Sequence, residues 1–457
     1  MILGLARQGV ALARYLAEAG AEVTVSDLQS EDALADQLEQ LEDLEIRYAL
    51  GGHPIRLLDN ADLLCLSGGV PMDIPIVREA RERSIPLSND AQIFLDRCPA
   101  PVVGITGSAG KTTTTALVGE MCRATGRRTW VGGNIGNPLI NDLASIEQDH
   151  VVVMELSSFQ LELMTTSPRI AAVLNVTPNH LDRHKTMETY IAAKEQIIAH
   201  QTAGDAAVLG YDDANARALA LETPAQLYFF SGGAEVEAGA FKTNGELTLR
   251  MDGEEREICE VSDVKLLGRH NLLNVLAASV LARLAGASLE AIREVATSFT
   301  GVEHRLELVR EIDGVRWYDD SIATAPERAI AALRSFEAPI VLLAGGRDKD
   351  LPWEAFVGQV LGSVRWLITF GEAGPMIARA VNEAHAGGGL ESQQLEGVTE
   401  VETLEDGVVE AAGRAREGDV VLLSPGGTSF DAFRDFAARG ERFQDLVSDL
   451  GRVGEKR

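Results

Sequence analysis

Residues Gly104 to Thr115 read GITGSAGKTTTT and constrain the fold more than any other stretch of the chain. Ahead of them, Ala100-Pro101-Val102-Val103 ends in a short apolar run with the character of a buried strand. Behind them, Ala116–Met121 has helical character. Strand, glycine loop, lysine, hydroxyl and helix, in that order, make a phosphate cradle. The loop's backbone N–H groups point at phosphate oxygens, and the helix N-terminus adds its partial positive charge. In such a cradle Lys111 reaches the terminal phosphates and the Thr112 hydroxyl ligates Mg²⁺. The spacing is shorter than the general P-loop pattern, because Ile105 stands where that pattern wants a glycine. The competing reading is a Gly/Thr-rich turn with a surface lysine. It leaves the coincidence of strand, lysine, hydroxyl and helix without a cause.

Length and composition set the frame. The 457 residues allow about three domains at roughly 150 residues each. With 46% apolar and 24% charged residues the chain is ordinary for a soluble globular protein. It has no apolar run long enough for a membrane span, and Met1–Leu5 lacks the basic region of a signal peptide. Cys65, Cys98, Cys122 and Cys259 are scattered with no CxxC pair, which favours a reducing compartment and argues against a structural zinc. The formal charge of −28 disfavours nucleic acid and anionic membranes as partners. Polyanionic substrates would therefore need lysine, arginine and Mg²⁺ supplied locally. The expectation is a cytoplasmic protein.

Met1–Leu3 followed by Gly4-Leu5-Ala6-Arg7-Gln8-Gly9 reads as strand then glycine turn, with a helix from about Val10 to Ala19 and a second strand at Ala21–Val25. This βαβ unit resembles a dinucleotide fingerprint with Ala6 in place of its second glycine, which weakens a NAD reading. Asp27, at the carboxyl end of that strand, reads equally as a ribose or base acceptor and as a solvated acid. A strand at Asp62–Leu66 leads into the small-residue loop Ser67-Gly68-Gly69-Val70-Pro71. Residues 30–45 read as an acidic, solvated helix, and Cys98-Pro99-Ala100-Pro101 as a linker.

After the cradle comes a second glycine loop, Val131–Pro138, carrying Asn134. The strand Val151–Met154 ends in Glu155-Leu156-Ser157-Ser158, which puts a carboxylate at a strand end beside the cradle, where nucleotide enzymes hold Mg²⁺. A strand at Ile170–Val176 ends near His180, a metal ligand or a surface loop histidine. The helix from about Met187 to His200 carries Lys194 among apolar residues. Such a lysine is usually solvated or snorkelling; if buried, it needs a partner or a depressed pKa. Asn244-Gly245 and Asp252-Gly253 mark a β-meander over residues 239–260. His270, Asn271 and Asn274 stand near the start of a helix reaching about Leu284, and a capping role covers one of them, not all three.

The last 155 residues alternate strands at Val315–Tyr318, Pro339–Ala344, Trp366–Phe370 and Val420–Leu423 with helices near 326–336, 374–385, 405–415 and 430–447. That pattern predicts an open parallel sheet with ligands outside its carboxyl edge. The fold class expected is α/β with three domains: an N-terminal Rossmann-like domain (1–98), a central P-loop-type ATPase sheet with a small meander (99–302), and a C-terminal Rossmann-like sheet (303–457).

Taken together, GITGSAGKTT, GGNIG, ELSSFQLE, NVTPNHLDRH, GRHNLLN, HRLE, DDSIAT, GGRDK and SPGGTSFDAFRDFAARG resemble, in order and approximate spacing, the motifs of the Mur ligases. These are ATP-dependent amino-acid ligases of peptidoglycan precursor synthesis. The N-terminal unit and the last motif look most like the members that add D-glutamate. The resemblance implies that Gly107, Ser108, Ala109, Gly110, Lys111, Thr112 and Thr113 cradle the ATP phosphates, with Asn271 on adenine, Asp320 on the ribose and Arg305 on the γ-phosphate. It implies that Thr112, Glu155, His180 and Lys194, the last carbamylated by CO₂, hold two Mg²⁺ ions. It places UDP-N-acetylmuramoyl-L-alanine on Leu5, Arg7, Asp27, Ser67, Gly68, Gly69 and Val70, with Asn134, Ser157 and Ser158 along the muramoyl part. D-Glutamate would lie against His180, Thr324, Lys349, Ser429 and Phe436, and Lys111, His180, Lys194 and Arg305 would carry the catalysis.

The implied reaction activates a carboxylate as an acyl phosphate and closes the domains before the amine attacks. The implied partners are small molecules, with no nucleic acid, no membrane and a monomeric chain. Ile322 departs from the pattern, since some members have a lysine there that contacts glutamate. Two other readings stay open. One is a relative adding another amino acid such as L-glutamate. The other is a Rossmann-type dehydrogenase or silent nucleotide-binding module, against which Ala6 and the full ATP constellation both count.

Overall fold

The structure is a computed structural model that describes residues 1–179, 181–266, 268–336, 338–349, 351–386 and 394–450. It divides into two compact units, Met1–Phe299 and Thr300–Arg457. Among the described residues, no helix is long and apolar enough to cross a membrane.

The first unit opens with a parallel sheet of β1 (Ile2–Leu3), β2 (Val23–Asp27), β3 (Ile46–Leu50), β4 (Leu64–Leu66) and β5 (Leu87–Ser88), in the order β3-β2-β1-β4-β5. Its first helix, Arg7–Glu18, starts three residues earlier than the glycine spacing suggests. The reason lies in Gly9, which is a helix residue and not part of the turn. A Cβ there would strike the carbonyl oxygen of Gly4, so the glycine lets the helix lie directly against the strand end. The turn itself uses Gly4, at φ +88°. The acidic stretch expected as one solvated helix is a short 3₁₀ turn, Asp32–Leu34, and a single helical turn, Ala35–Glu39, pinned by buried Leu34 and Leu41.

A nine-stranded sheet follows: β6 (Val102–Thr106), β7 (Thr129–Gly133), β8 (Val151–Glu155), β9 (Ile170–Val173), β10 (Ala206–Gly210), β11 (Gln226–Ser231), β12 (Gly239–Thr243), β13 (Glu246–Met251) and β14 (Glu254–Glu260). The order is β14-β13-β12-β11-β10-β9-β6-β8-β7. Every pair is parallel except β12–β13 and β13–β14. The expected meander is present and extends this sheet. Its turns place Asn244, Gly245, Asp252 and Gly253 at positive φ, as tight hairpins require. β6 is buried throughout, since the sheet is covered on both faces. On one face Leu117, Val118 and Met121 of the helix Lys111–Arg123 pack with Val275, Leu276 and Ala278 of the helix Arg269–Leu284. On the other, Ala91 and Phe94 of the helix Asp90–Arg97 join Val152, Met154 and Ile197.

The second unit holds β15 (Glu307–Ile312), β16 (Val315–Asp319), β17 (Ile340–Gly345), β18 (Val364–Phe370), β19 (Gly397–Glu400) and β20 (Val420–Gly426), in the order β15-β16-β20-β17-β18-β19. All pairs are parallel except the edge pair β15–β16. The central strands are the four read from sequence. The two edge strands escaped that reading because they are half exposed and lack an apolar run. The last helix begins only at Phe436, where the Asp435 carboxylate accepts the Ala438 N–H as its cap. The strand ends Asp319-Asp320-Ser321, Gly345-Gly346 and Ser424–Gly427 lie side by side at one edge of the sheet.

Gly9→Ala is expected to destabilise the protein by about 1–3 kcal/mol, the usual scale of overpacking. Urea unfolding measures this, and an unchanged midpoint would show that the helix does not depend on the close approach.

Candidate active site

The cradle is compact because β6 stays in strand geometry through Ile105 and Thr106, leaving Gly107–Gly110 to make the turn. The residue that looked out of place for a P-loop is thus a strand residue. Gly110 takes φ +85°, and a Cβ on it would strike the Asn274 side-chain oxygen, so no other residue type fits there. The loop is fastened from behind. Ala109 N–H donates to Asn175 Oδ1 (2.9 Å), Asn175 Nδ2 donates to Ala109 O (3.1 Å), and the Ser108 hydroxyl donates to Thr177 O (2.9 Å). Lys111 Nζ donates to Gly107 O at 2.9 Å, so its charge already lies over the cradle. Asn274 accepts from Thr114 Oγ1 (3.3 Å) and donates to Asn271 Oδ1 (3.0 Å), tying the second asparagine pair to the P-loop helix. None of His270, Asn271 and Asn274 is a cap: the cap position is Gly268, which offers no side chain.

Glu155 closes β8 with its side chain buried. Thr112 Oγ1 donates to Glu155 Oε2 at 2.9 Å and Asn134 Nδ2 to Oε1 at 2.8 Å. A hydroxyl and a carboxylate oxygen this close, at the mouth of a phosphate loop, form a hard-oxygen donor set that suits Mg²⁺. His180, the third expected ligand, lies outside the described residues. The GGNIG loop thus serves this carboxylate: Asn134 N–H also donates to Glu155 O, and its own carbonyl accepts from Arg7 Nη2 at 3.1 Å.

Lys194 is neither solvated nor snorkelling. It is 1% exposed, with Nζ donating to Thr106 Oγ1 (3.3 Å) and to Gly107 O (3.0 Å), the carbonyl that Lys111 also uses. The ammonium lies 4.8 Å from the centre of the Tyr190 ring. Burial, and then the neighbouring Lys111 cation, push its pKa well below the ordinary lysine range, against a weaker opposing pull from Glu155. A buried amine with a neutral fraction is the species that adds CO₂, so the residue fits a carbamate.

Beyond Glu155 the chain turns under tight control. Gln160 accepts from the Ser157 N–H (3.1 Å) and hydroxyl (3.0 Å), a capping box on the helix Ser158–Leu161. Ser158 Oγ meets His184 Nε2 at 2.9 Å, and His184 Nδ1 lies 3.0 Å from Glu162. The His184 ring stacks on Phe159, whose ring also carries the Arg183 guanidinium. Arg183 reaches on to Gly69 O (3.1 Å) and Val70 O (3.3 Å), joining the small-residue loop of the first sheet to the turn after Glu155. Asp90 is buried with Oδ2 accepting from Gln160 Nε2 at 3.4 Å, and its Oδ1 has no hydrogen-bond partner among the described residues. Burial raises its pKa to about 6. Sequence reasoning missed Asp90, Gln160, Arg183 and His184. Gln160, inside the ELSSFQLE segment, and the two last, inside NVTPNHLDRH, stood in motifs already singled out, whereas Asp90 carried no such signal.

At the first sheet's edge, Asp27 Oδ2 accepts the Leu5 N–H (2.7 Å) and Oδ1 the Gln29 N–H (2.9 Å). The Leu5 side chain is fully buried, so only its backbone faces the strand ends. Ser67 packs against Gly4, where a Cβ would lie 3.0 Å from the serine Cβ, and Gly68 sits beside Gln8.

In the second unit, Asp320 is buried, accepting from Ser424 Oγ (2.8 Å) and the Leu306 N–H (3.3 Å). Burial raises its pKa to about 7, while Arg305 pulls it down. Arg439 is fully buried and donates to Ser321 Oγ (3.0 Å), Ser321 O (2.9 Å) and Gly427 O (3.2 Å). The Ser321 hydroxyl donates in turn to Phe436 O at 2.7 Å. The loop at Arg347 pairs with Thr428 through reciprocal backbone bonds of 2.8 Å. Burial, followed by Arg328 and Arg439, lowers the Lys349 pKa. Ser429 is buried, and Thr324 and Phe436 are half-buried. The structure therefore gathers the DDSIAT, GGRDK, SPGGTSF and DFAARG segments at one sheet edge.

A short glycine cradle at a strand end, with a carboxylate at the neighbouring strand end and a separate α/β unit of clustered loops, defines a nucleotide-binding α/β protein of the P-loop type. Residues 1–89 match the family described as Mur ligase MurD-like, N-terminal domain; residues 105–282 match Mur ligase middle domain; residues 304–427 match Mur ligase, glutamate ligase domain. The chain is 44% identical over 451 residues to a UDP-N-acetylmuramoylalanine--D-glutamate ligase of Symbiobacterium thermophilum, covering 98% of this chain and 97% of that one. It is 41% identical over 449 residues to a protein of the same name from Acetivibrio thermocellus, covering 98% and 96%. The fold is shared with the crystal structure of UDP-N-acetylmuramate-alanine ligase from Thermotoga maritima at a TM-score of 0.54, with 20% identity and 98% of both chains covered. The chain belongs to the Mur ligase family.

Asp90 supplies a pH test. Its carboxyl titrates near 6 folded against 3.8 ordinarily, so the protonated form favours the fold, and stability is lost as pH rises from about 4 through 6. Asp90→Asn does not titrate. Its stability relative to the parent is expected to improve by up to about 3 kcal/mol between about pH 4 and pH 8. Thermal or urea unfolding at the two pH values checks this, and a constant difference would mean that Asp90 is not buried in its charged form.

Proposed function

We propose that this chain joins D-glutamate to UDP-N-acetylmuramoyl-L-alanine at the expense of ATP, in the cytoplasmic synthesis of peptidoglycan precursors. The observation that carries the reading is the pair of ammonium groups, Lys111 and Lys194, on one P-loop carbonyl beside the Thr112–Glu155 pair. The full-length likeness to D-glutamate ligases supports the choice of amino acid.

A carboxylate does not react with an amine, because oxide is too poor a leaving group. In the proposed reaction an oxygen of the alanyl carboxylate attacks the γ-phosphorus and the β–γ anhydride bond breaks, giving ADP and an acyl phosphate. The D-glutamate nitrogen then attacks the acyl carbon. The tetrahedral intermediate collapses with loss of phosphate, and the nitrogen gives up its proton. The protein's contribution is alignment and neutralisation of charge. Gly107–Thr113 would hold the ATP phosphates, with Lys111 swinging from Gly107 O onto the β and γ oxygens. Thr112 and Glu155 would hold one Mg²⁺ ion and His180 a second, and Lys194 as a carbamate would supply negative charge to pair with them. Bound Mg²⁺ supplies screening of the phosphate charge.

Asn271 would meet adenine, Asp320 the ribose and Arg305 the γ-phosphate. Leu5, through its backbone, with Arg7, Asp27, Ser67, Gly68 and Gly69, would hold the uridine diphosphate, and Asn134, Ser157 and Ser158 the muramoyl part. Thr324, Lys349, Ser429 and Phe436 would frame D-glutamate. The three sheets support a division into residues 1–98, 99–302 and 303–457; each part would take one substrate, and the chain would act as a monomer. A second reading, addition of another amino acid, is favoured by Ile322, where a lysine that contacts glutamate stands in some members.

With UDP-N-acetylmuramoyl-L-alanine and ATP, phosphate release is expected to require D-glutamate, and equal turnover with L-glutamate would overturn the specificity. Lys194→Ala is expected to lose nearly all activity and regain part of it with short carboxylic acids, which replace the carbamate's negative charge. Full activity in that variant would remove the carbamate from the mechanism.

A further inference from the structure

The HRLE segment has a backbone that its residues do not choose. His304 sits at φ +59° and Leu306 at φ +46°, so Arg305 is held between two non-glycine residues in the left-handed region. Such strain persists only where the surroundings enforce it, and it is typical of positions whose aim matters. The His304 N–H donates to Glu307 Oε2 (2.8 Å), His304 Nδ1 meets Asp319 Oδ2 (2.7 Å), and the Leu306 N–H donates to Asp320 (3.3 Å). That knot packs two buried or half-buried carboxylates against one ring, and its like charges need a donor between them.

The donor comes from the last helix, Phe436–Asp449. Gln444 Nε2 donates to Asp319 Oδ2 at 3.0 Å and to Glu307 Oε2 at 3.1 Å, one amide bridging the two acids that grip His304. One turn earlier, Gly440 leaves space for the knot. A Cβ there would strike His304 Nδ1 and lie 2.7 Å from Asp319 Oδ2. The glycine of the DFAARG segment and the glutamine four residues on thus face the same pair, while Arg439 faces away to Ser321 and Gly427.

We propose that Gln444, seated by Gly440, is a positioning residue for Arg305: it holds the His304–Asp319–Glu307 knot whose strained backbone presents the guanidinium to the γ-phosphate. This rests on the reading of Arg305 as the γ-phosphate contact. The last helix then has a second task beyond framing the amino acid, since it sets the geometry of phosphoryl transfer.

The test is a kinetic cycle with Gln444→Met, which keeps the side-chain volume and removes the donor, crossed with Arg305→Ala. Gln444→Met is expected to lower kcat/KM for ATP by between about tenfold and a hundredfold, the scale of a small misplacement at a reacting centre. KM for D-glutamate is expected to stay within about twofold. In the Arg305→Ala background the same substitution is expected to cost less than about twofold, because its effect passes through the arginine. Gln444→Ala serves as the second variant should the thioether repack the helix. If Arg305→Ala is impaired while Gln444→Met is not, or if Gln444→Met costs the same in both backgrounds, the proposal is overturned and the ligase reading stands. If Arg305→Ala is fully active, the γ-phosphate assignment fails and takes the proposal with it.

Discussion

Two ammonium groups share one carbonyl oxygen. Lys111 and Lys194 donate to Gly107 O at 2.9 and 3.0 Å, and the second of them is buried. Two full positive charges on one dipole in a desolvated pocket are unfavourable, and the structure answers by depressing the Lys194 pKa. The arrangement is stable with Lys194 neutral, or with that nitrogen converted into an anion. It also holds Lys111 within reach of a phosphate chain without letting it drift into solvent. In a chain of net charge −28, cationic chemistry has to be concentrated locally, and this carbonyl is where it happens.

The rest of the first unit keeps that place rigid. Asn175 and Thr177 lace the loop from behind, Asn274 fills the space that Gly110 leaves, and Asn134 pins Glu155 opposite Thr112. Contacts from the first sheet reach the same neighbourhood. Arg7 touches the Asn134 carbonyl, Asp90 meets Gln160, and Arg183 holds the loop at Gly69. The elements proposed to hold the carboxylate substrate are therefore bonded to those around Glu155 and form one framework with them. In the second unit the buried guanidinium of Arg439 and the amide of Gln444 do the corresponding work for the loops at the sheet edge. The burial of Arg439 is tolerable because each of its three nitrogens meets an oxygen, and the half-buried Gln444 amide meets two carboxylates.

The cradle and Glu155 were legible because both follow from strand-end chemistry: a short apolar run that stops at glycines, or at an acid, fits little besides a buried strand ending at a ligand-binding edge. The inner strands of the first and last sheets, and β8 and β9 beside the cradle, were legible for the same reason, whereas β10 and β11, in the middle of the nine-stranded sheet, were not read. Lys194 was not, since helical spacing shows which residues share a face and not what covers that face. Asp90 and Gln160 stand seventy residues apart, and the network linking Asp319, Glu307 and Gln444 spans more than a hundred, so no local pattern announces them. Gly9 misled because a glycine that allows close packing and a glycine that makes a turn look alike in one dimension. His180 is assigned by resemblance alone and lies outside the described residues.

The central claim is that ATP is spent on activating a carboxylate, which an isotope measurement tests most directly. UDP-N-acetylmuramoyl-L-alanine labelled with ¹⁸O in its alanyl carboxylate is incubated with the enzyme, ATP, Mg²⁺ and D-glutamate, and the released phosphate is analysed by mass. An acyl-phosphate route transfers one labelled oxygen into phosphate for each peptide bond formed. Product formed with unlabelled phosphate would contradict it.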